Sequence, residues 1–209
     1  MTTSASRTPF DVVFFDFDGT LVRSAEAKRD AFFSIFPDTP AHRAVIERTL
    51  AEDPDGSRHV VIPRMIEAMR TQGLEVPPGD FVEAYGMAAL SAVAACPAMP
   101  GAEALLKALQ GRVRRVVFSN TPHEPLQSLI EGRGWESLMD ELHGYPARKA
   151  DIIRTVLARL GTAPERAAVT GDGVSDEAAA RETGAAFFPA GGHEGLAPLA
   201  EALGLVDVR

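Results

Sequence analysis

The chain has 209 residues, 45% of them hydrophobic and 24% charged, which suits one globular domain or a core domain with a smaller insert. Its formal net charge of −8, without a long basic run, argues against a nucleic-acid-binding surface. The single cysteine, Cys96, excludes an internal disulfide and suits a reducing compartment. No apolar run approaches the roughly 20 residues of a membrane span, and residues 1–9 lack the apolar core of a signal peptide. We therefore expect a cytoplasmic protein with neither nucleic acid nor membrane as a partner.

The first predicted element is a strand at residues 12–15, Val-Val-Phe-Phe, a run typical of a parallel strand buried on both faces. Asp16 and Asp18 follow at once, and Gly19 lets the chain turn there. Both carboxylates are thus predicted at the carboxyl end of a central strand, where open α/β sheets bind ligands. Taken alone, the pair could equally serve a turn or a helix cap, because Asp favours both.

Residues 22–96 contain no good strand candidate and are predicted to form about four helices. Apolar spacing and Pro or Gly punctuation place them at 27–36, 41–51, 60–69 and 81–95. The block follows the first strand and ends at a Pro-rich segment, 97–100. We therefore predict an α-helical cap at 22–96, inserted into an α/β core made of 1–21 and 97–209.

Beyond residue 97 the pattern alternates between strands and helices, which predicts a parallel sheet. Strands are expected at 115–118, 141–143, 167–170 and 185–188, and helices at 101–109, 126–133, 150–160, 177–183 and 196–203. With the first strand, these elements predict an α/β fold, a three-layer Rossmann-like core around a parallel five-stranded sheet.

Polar side chains follow three of the predicted strands. Asp16 and Asp18 end the first, Ser119-Asn120 ends the next, and the segment from Asp172 to Asp176 ends another. Lys149 opens a helix and can reach the same edge. Clustered carboxylates repel one another in a low-dielectric cleft, and a divalent cation relieves that repulsion. Oxygen-only ligands suit Mg²⁺ where a phosphate completes the coordination, and a hydroxyl and an ammonium suit the remaining phosphate oxygens.

This combination of groups predicts phosphoryl chemistry. One carboxylate can attack phosphorus and form an aspartyl phosphate. A second acid nearby can protonate the leaving alkoxide and then deprotonate the water that hydrolyses the intermediate. Asp16 and Asp18 offer two acids at the short, fixed spacing that this requires.

The same residues carry a family resemblance over nearly the whole chain. Asp16-Phe17-Asp18-Gly19-Thr20-Leu21, Ser119-Asn120, Lys149 and Gly171-Asp172-Gly173-Val174-Ser175-Asp176 resemble, in order, the four motifs of the haloacid dehalogenase-like hydrolase superfamily. The helical insert is similar to the cap of the phosphoglycolate phosphatase-like branch. The resemblance implies a Mg²⁺-dependent phosphatase acting on a small phosphorylated metabolite.

The resemblance also implies a role for each motif residue. Asp16 would be the nucleophile and Asp18 the general acid/base. The metal would bind Asp16, the Asp18 backbone carbonyl and Asp172, with Asp176 supporting the metal site. The phosphoryl group would bind Ser119, Asn120 and Lys149. Members that remove halogen lack an acid where Asp18 stands, so the resemblance favours phosphate esters over a dehalogenase reaction.

Two departures from the family pattern bear on these roles. The family lysine often precedes a proline, whereas Ala150 follows Lys149 here, and Arg148 is an alternative for the phosphate-binding cation. Arg23 stands where many relatives have an acidic residue, which could alter substrate contacts or the hinge of the cap.

Several further residues have two interpretations. Arg58 and His59 follow a Gly-Ser turn in the insert and could bind the substrate's leaving group, or they could be solvated charges at a helix start. Arg23 has the same two interpretations. The dispersed histidines His42, His123, His143 and His193 have no metal-ligand spacing and are expected at the surface or in satisfied hydrogen bonds. A sugar phosphomutase and a non-catalytic phosphate-binding sensor remain alternative functions, and the phosphate ester and the oligomeric state stay open.

Overall fold

The computed structural model describes residues 8–54, 56–192 and 194–205. The chain divides into two compact units, a helical unit at Ser24–Cys96 and a second unit that combines the chain before Ser24 with the chain from Pro97 onward. The assignment of the helical unit as a cap stays a prediction.

The described part of the helical unit contains four helices, α1 Ala25–Ser34, α2 Pro40–Glu52, α3 Arg58–Thr71 and α4 Phe81–Ala95. Side-chain oxygens cap the N-termini of α2 and α4, because Thr39 accepts from the His42 amide and Asp80 accepts from the Val82 and Glu83 amides. Apolar residues of all four helices form one buried core, which includes Phe32, Ile46, Ile62, Met65 and Tyr85. The unit therefore has a hydrophobic core of its own.

The second unit is built on a parallel five-stranded sheet. Its strands are β1 Val12–Phe15, β2 Arg114–Pro122, β3 Glu141–Tyr145, β4 Ala167–Gly171 and β5 Ala186–Pro189, in the order β3-β2-β1-β4-β5. Strand β1 is central, and all four of its side chains are buried, as the uninterrupted apolar run predicts. Phe15 pairs with Val117 of β2 and with Thr170 of β4, so three strands reach the same edge of the sheet in register.

Five α-helices of the described residues accompany this sheet: α5 Ala102–Ala108, α6 His123–Gly132, α7 Lys149–Leu160, α8 Val174–Thr183 and α9 Ala197–Ala202. Alternate residues of β1, β2 and β4 pack with α7 and α8 in one buried cluster that includes Phe14, Phe118, Ile153, Val156 and Val169. The predicted three-layer Rossmann-like α/β fold with a parallel five-stranded sheet is confirmed.

Most element ends lie within two residues of the sequence-based expectation, but α6 begins at His123 instead of 126, and two further ends differ by three or four residues. Strand β2 runs on to Pro122 instead of ending near 118, and its register against β3 shifts between Phe118 and Pro122. Helix α8 begins at Val174 instead of 177, because the Asp176 carboxylate accepts a hydrogen bond from the Gly173 amide (3.3 Å) and caps the first turn. Both differences lie at the edge where the motif residues stand.

The chain leaves and re-enters the second unit through two paired segments. Val22 and Ala98 form an antiparallel bridge, the Arg23 amide donates to the Pro97 carbonyl (3.0 Å), and the Met99 amide donates to the Leu21 carbonyl (2.8 Å). The helical unit is therefore inserted between two adjacent points of the backbone. Among the described residues, no helix is both long enough and apolar enough to cross a lipid bilayer.

Candidate active site

Four motif residues from distant parts of the chain converge at the carboxyl edge of the sheet. Asp16 directly follows β1, and its amide donates to the Thr170 carbonyl of β4 (2.9 Å). Lys149 is the first residue of α7, and Asp176 lies in the first turn of α8. Asp172 follows β4 by one residue. Because β1 and β4 end in register, their polar continuations meet, as strand-end motifs in open α/β sheets do.

Lys149 is the centre of this cluster. Its Nζ lies 2.8 Å from Asp16 Oδ1 and 2.7 Å from Asp176 Oδ1, and the three side chains are almost completely inaccessible to solvent. The ammonium also lies 5.1 Å from the centroid of the Phe118 ring, a cation–π distance. Neighbouring Arg148 is exposed and pairs with Glu182 and Asp151. Of the two candidate cations, Lys149 is the one that contacts Asp16.

The charges of the cluster do not balance. One ammonium faces two carboxylates, with Asp18 and Asp172 nearby. Burial, together with the negative charges of Asp176 and Asp18, raises the pKa of Asp16 to about 7 although Lys149 opposes the shift. Burial and the charge of Asp16 raise the pKa of Asp172 to about 6. Burial lowers the pKa of Lys149, but Asp16 and Asp176 outweigh it and raise that pKa above its ordinary value.

This excess of acid identifies a candidate cation site. Carboxylate oxygens of Asp16, Asp172 and Asp176 lie within 4.8 Å of one another. A Cβ at Gly19 would come 1.9 Å from Asp172 Oδ2, so only glycine lets the backbone after Asp18 approach that carboxylate. The donors are all oxygen, which fits a hard divalent cation. The carboxylate of Asp176, for which the sequence predicts a supporting role at the metal site, lies in this cluster.

The end of β2 adds hydroxyl groups beside these acids. Ser119 is buried, and its Oγ accepts a hydrogen bond from the Thr121 amide (3.0 Å). Thr121 Oγ1 in turn donates to Asp18 Oδ2 (2.8 Å). Asn120, between them, is exposed. The sequence prediction does not include Thr121, because its contact with Asp18 joins two strands and the register of β2 is irregular near its end.

The remaining candidates lie outside this cluster. Arg23 is exposed, and its amide joins the paired segments described above. Arg58 and His59 begin α3 in the helical unit, where the Arg58 guanidinium lies 5.2 Å from the centroid of the Tyr85 ring and His59 is exposed.

The histidines have other surroundings. His42 is buried, with its ring nitrogens bonded to Thr39 Oγ1 (2.7 Å) and to the Glu75 carbonyl (2.8 Å). His143 bonds to Glu141 (3.2 Å), and His123 begins α6. His193 lies outside the described residues.

Comparisons with known proteins agree with the geometry. Residues 10–184 match the haloacid dehalogenase-like hydrolase family. A phosphoglycolate phosphatase from Rhodospirillum rubrum is 30% identical over 186 residues, which are 82% of this chain and 76% of that protein.

Solved structures include a HAD family hydrolase from Deinococcus radiodurans with bound phosphate and sodium (26% identity, TM-score 0.67, covering 97% of this chain and 100% of that one). The fold is also shared with a putative β-phosphoglucomutase from Thermotoga maritima (19% identity, TM-score 0.65, 93% and 92% covered). The family membership predicted from the four motifs is confirmed. The prediction that the protein is an enzyme is also confirmed, because the family is one of hydrolases. This chain belongs to the haloacid dehalogenase-like hydrolases.

Proposed function

We propose that this hydrolase is a Mg²⁺-dependent phosphatase that cleaves the phosphate monoester of a small metabolite through an aspartyl-phosphate intermediate. The observation that carries the proposal is the Asp16 carboxylate, buried, fixed by Lys149 at 2.8 Å and placed inside an acidic cluster. The similarity to a phosphoglycolate phosphatase supports the reaction class. A location in the cytoplasm stays a prediction from the sequence.

Asp16 is the nucleophile in this proposal. Lys149 holds Oδ1 and thereby fixes the orientation of the whole carboxyl group, so that the attacking oxygen meets phosphorus in line. The ammonium also stabilises negative charge on the transferred phosphoryl group. Ser119 contributes a hydroxyl hydrogen to a phosphoryl oxygen, because its Oγ already accepts from the Thr121 amide, and Asn120 supplies a further donor.

Asp18 moves the protons. In the first step its carboxylic acid protonates the leaving alkoxide while the ester O–P bond breaks and the Asp16 O–P bond forms. In the second step the Asp18 carboxylate takes a proton from water, whose oxygen attacks phosphorus and releases Asp16 and inorganic phosphate. The half-buried position of Asp18, two residues after the nucleophile, supports this role.

The Mg²⁺ ion would be held by the carboxylates of Asp16 and Asp172 and by the Asp18 backbone carbonyl, with Asp176 beside them. When bound, it would neutralise charge on phosphate oxygens and on the acidic cluster. The fit rests on the all-oxygen donor set and on the excess of carboxylates over the single ammonium of Lys149 in the cluster.

The decisive experiment is phosphate release from a panel of metabolite phosphates and p-nitrophenyl phosphate, with MgCl₂ and with EDTA. We expect turnover in MgCl₂ that EDTA and Asp16→Asn both abolish, and an acid-stable phosphate adduct on Asp16 in stopped reactions. Phosphate release that survives Asp16→Asn would contradict the mechanism. Phosphate binding without any turnover would instead establish a non-catalytic sensor.

A phosphomutase is the alternative within enzymes. The Thermotoga neighbour supports it only through the shared fold. Isomerisation of a sugar phosphate that needs a bisphosphate primer and releases no net phosphate would establish that activity, whereas stoichiometric phosphate release from the best substrate would exclude it.

We propose that Arg58, His59 and Arg23 contribute to substrate recognition. Arg58 is the best supported of the three, because its guanidinium lies against the Tyr85 ring. Gly86 also leaves room for Arg58 Nη1, since a Cβ at that position would lie only 3.3 Å from it. Arg58→Ala should raise KM for the best metabolite and spare p-nitrophenyl phosphate. Arg70→Ala, at the exposed far end of α3, is the matched control. An equal rise for both substrates would remove Arg58 from recognition.

A further inference from the structure

The end of β2 is held in an irregular conformation by its neighbour β3. Phe118 pairs with His143 and Pro122 with Tyr145, so four steps along β2 correspond to two along β3. Gly144 faces the extra residues. A Cβ at Gly144 would lie 2.5 Å from the amide nitrogen of His123 and 2.7 Å from the Thr121 carbonyl oxygen. The missing side chain therefore lets the backbone of β3 support the segment 121–123, in the manner of a β-bulge that re-aims a side chain.

Thr121, in this segment, connects two parts of the candidate active site. Thr121 is only 7% exposed to solvent. Its amide donates a hydrogen bond to Ser119 Oγ (3.0 Å), and its Oγ1 donates one to Asp18 Oδ2 (2.8 Å). Thr121 and Asp18 are 103 positions apart in the chain, so the contact exists only because β1 and β2 are neighbours. One residue thus contacts both the proposed phosphate ligand and the proposed acid/base.

We propose that Thr121 is a positioning residue for Asp18, which it orients through Oδ2 so that Oδ1 faces the oxygen that gains or loses a proton. The inference rests on the proposed phosphatase function. It adds that the sheet bulge, and not the loop after β1 alone, sets where the acid/base stands. A hydroxyl suits this contact, because it can donate to a carboxylate and accept from a carboxylic acid, whereas an ammonium or guanidinium can only donate.

Comparing substrates with different leaving groups distinguishes a positioning role of Thr121 from a merely structural one. An alkoxide leaving group needs a proton from Asp18, whereas p-nitrophenolate is stable enough to depart without one. The ratio kcat/KM reports only the steps up to departure of the leaving group. Misplacing Asp18 should therefore lower kcat/KM far more for an alkyl phosphate than for p-nitrophenyl phosphate.

We would compare Thr121→Val, Thr121→Ser and Thr121→Ala with wild type, using glycerol 1-phosphate and p-nitrophenyl phosphate in MgCl₂. We expect Thr121→Val and Thr121→Ala to lower kcat/KM for the alkyl phosphate on the order of 30-fold, and for the aryl phosphate by less than about threefold. Thr121→Ser, which keeps the hydroxyl, should stay within about threefold of wild type for both. Thr49→Val is the matched control, since it removes a buried hydroxyl bonded to the Val45 carbonyl in the helical unit.

The outcomes separate this inference from the proposed function. Equal losses on both substrates, or a loss in Thr121→Ser as large as that in Thr121→Ala, would overturn the positioning role. If Thr121→Val does not fold, the Ser and Ala variants decide the question, because they differ in the hydroxyl alone. If Asp16→Asn releases phosphate as fast as wild type, the proposed function itself is overturned, whatever the Thr121 variants do.

Discussion

At the scale of single residues, Lys149 is the group on which the acidic cluster depends. Its ammonium is buried with two carboxylates, and removing a buried partner leaves uncompensated charge. Lys149→Met should lower the free energy of unfolding by about 3–5 kcal/mol at pH 8 in EDTA, measured by urea denaturation. The loss should be smaller at pH 5, because protons then neutralise the carboxylates.

The control is Lys107→Met. Lys107 pairs with Glu103 at 3.1 Å in the exposed i,i+4 geometry, where ion pairs contribute little. Equal stability of the two variants at pH 8 would show that Lys149 does not offset the charge of the cluster.

Proton and metal binding should compete at the same carboxylates. Burial and neighbouring charges raise the pKa of Asp16 to about 7 and that of Asp172 to about 6, both above the ordinary value of 3.8. Below these values Mg²⁺ must displace protons, so its affinity should rise with pH up to about 7 and then level off. Calorimetric titration with MgCl₂ from about pH 5.5 to 8, in two buffers of different ionisation enthalpy, measures the affinity and the protons released.

An affinity that is flat over this range, with no proton release, would contradict the prediction. The same shifts act on the metal-free fold with a definite sign. A folded-state carboxyl pKa above the unfolded value destabilises the fold as pH rises from about 4 to 7, so Mg²⁺ should stabilise the protein most at the alkaline end.

The motifs located most of the candidate site, but not its internal contacts. Asp16, Asp172 and Asp176 were found because acids and glycines follow apolar runs, and that information is local. The contact from Thr121 to Asp18 was missed because it spans two strands and depends on a register shift. The choice between Arg148 and Lys149 likewise needed the start of α7, which directs one side chain to Asp16 and the other to Glu182.

At the scale of elements, types were predictable and ends were not. Every predicted strand and helix that lies in the described residues is present, because hydrophobic periodicity defines the middle of an element. Strand β2 continues past its apolar run because β3 supplies hydrogen-bond partners, and α8 starts early because Asp176 caps it. The extension of β2 comes from a tertiary contact that a window of sequence does not contain, whereas the cap that starts α8 joins residues only three positions apart.

Gly144 tests how far β3 controls the end of β2. Gly144→Ala would force backbone atoms of His123 and Thr121 to move, because its Cβ would lie 2.5 and 2.7 Å from them. We expect a loss of about 1–3 kcal/mol in unfolding free energy, together with the selective loss of alkyl phosphate turnover predicted for Thr121→Val.

Gly132→Ala provides the comparison for this substitution. Gly132 ends α6, and a Cβ there meets no heavy atom within 4 Å, so the change should be neutral or stabilising by up to about 1 kcal/mol. If Gly144→Ala unfolds at the same urea concentration as Gly132→Ala, close backbone packing does not hold the bulge.

At the scale of the whole molecule, the sequence predicted a parallel sheet but not the order β3-β2-β1-β4-β5. Strand order depends on the side of the preceding strand on which each new strand pairs. That side is determined by packing between residues far apart in the sequence. The pairing of Val22 with Ala98 could not be predicted from the sequence either. The two residues are separated by 75 others, and the short segments around them show no strand periodicity. That pairing nevertheless defines how the two units are connected.

The connection predicts what happens when the helical unit is removed. The segments at Leu21–Arg23 and Pro97–Met99 already hydrogen-bond to each other at 2.8–3.0 Å, so a short Gly-Ser linker can replace residues 24–96 without moving them. The second unit keeps its own buried cluster between the sheet and α7 and α8. We therefore expect a folded protein with cooperative unfolding, Mg²⁺ affinity within about tenfold of the full chain, and measurable hydrolysis of p-nitrophenyl phosphate.

Discrimination among metabolite phosphates should be lost in this shortened chain, because Arg58 and its aromatic support on Tyr85 leave with residues 24–96. Introducing Asp16→Asn into the shortened chain is the control, and it should abolish the residual hydrolysis if the same carboxylate performs it. If the shortened chain hydrolyses the metabolite phosphates with the same order of kcat/KM values as the full chain, residues of the second unit select the substrate. A shortened chain that fails to fold would show that the paired segments need the helical unit between them, contrary to the independent core seen on each side.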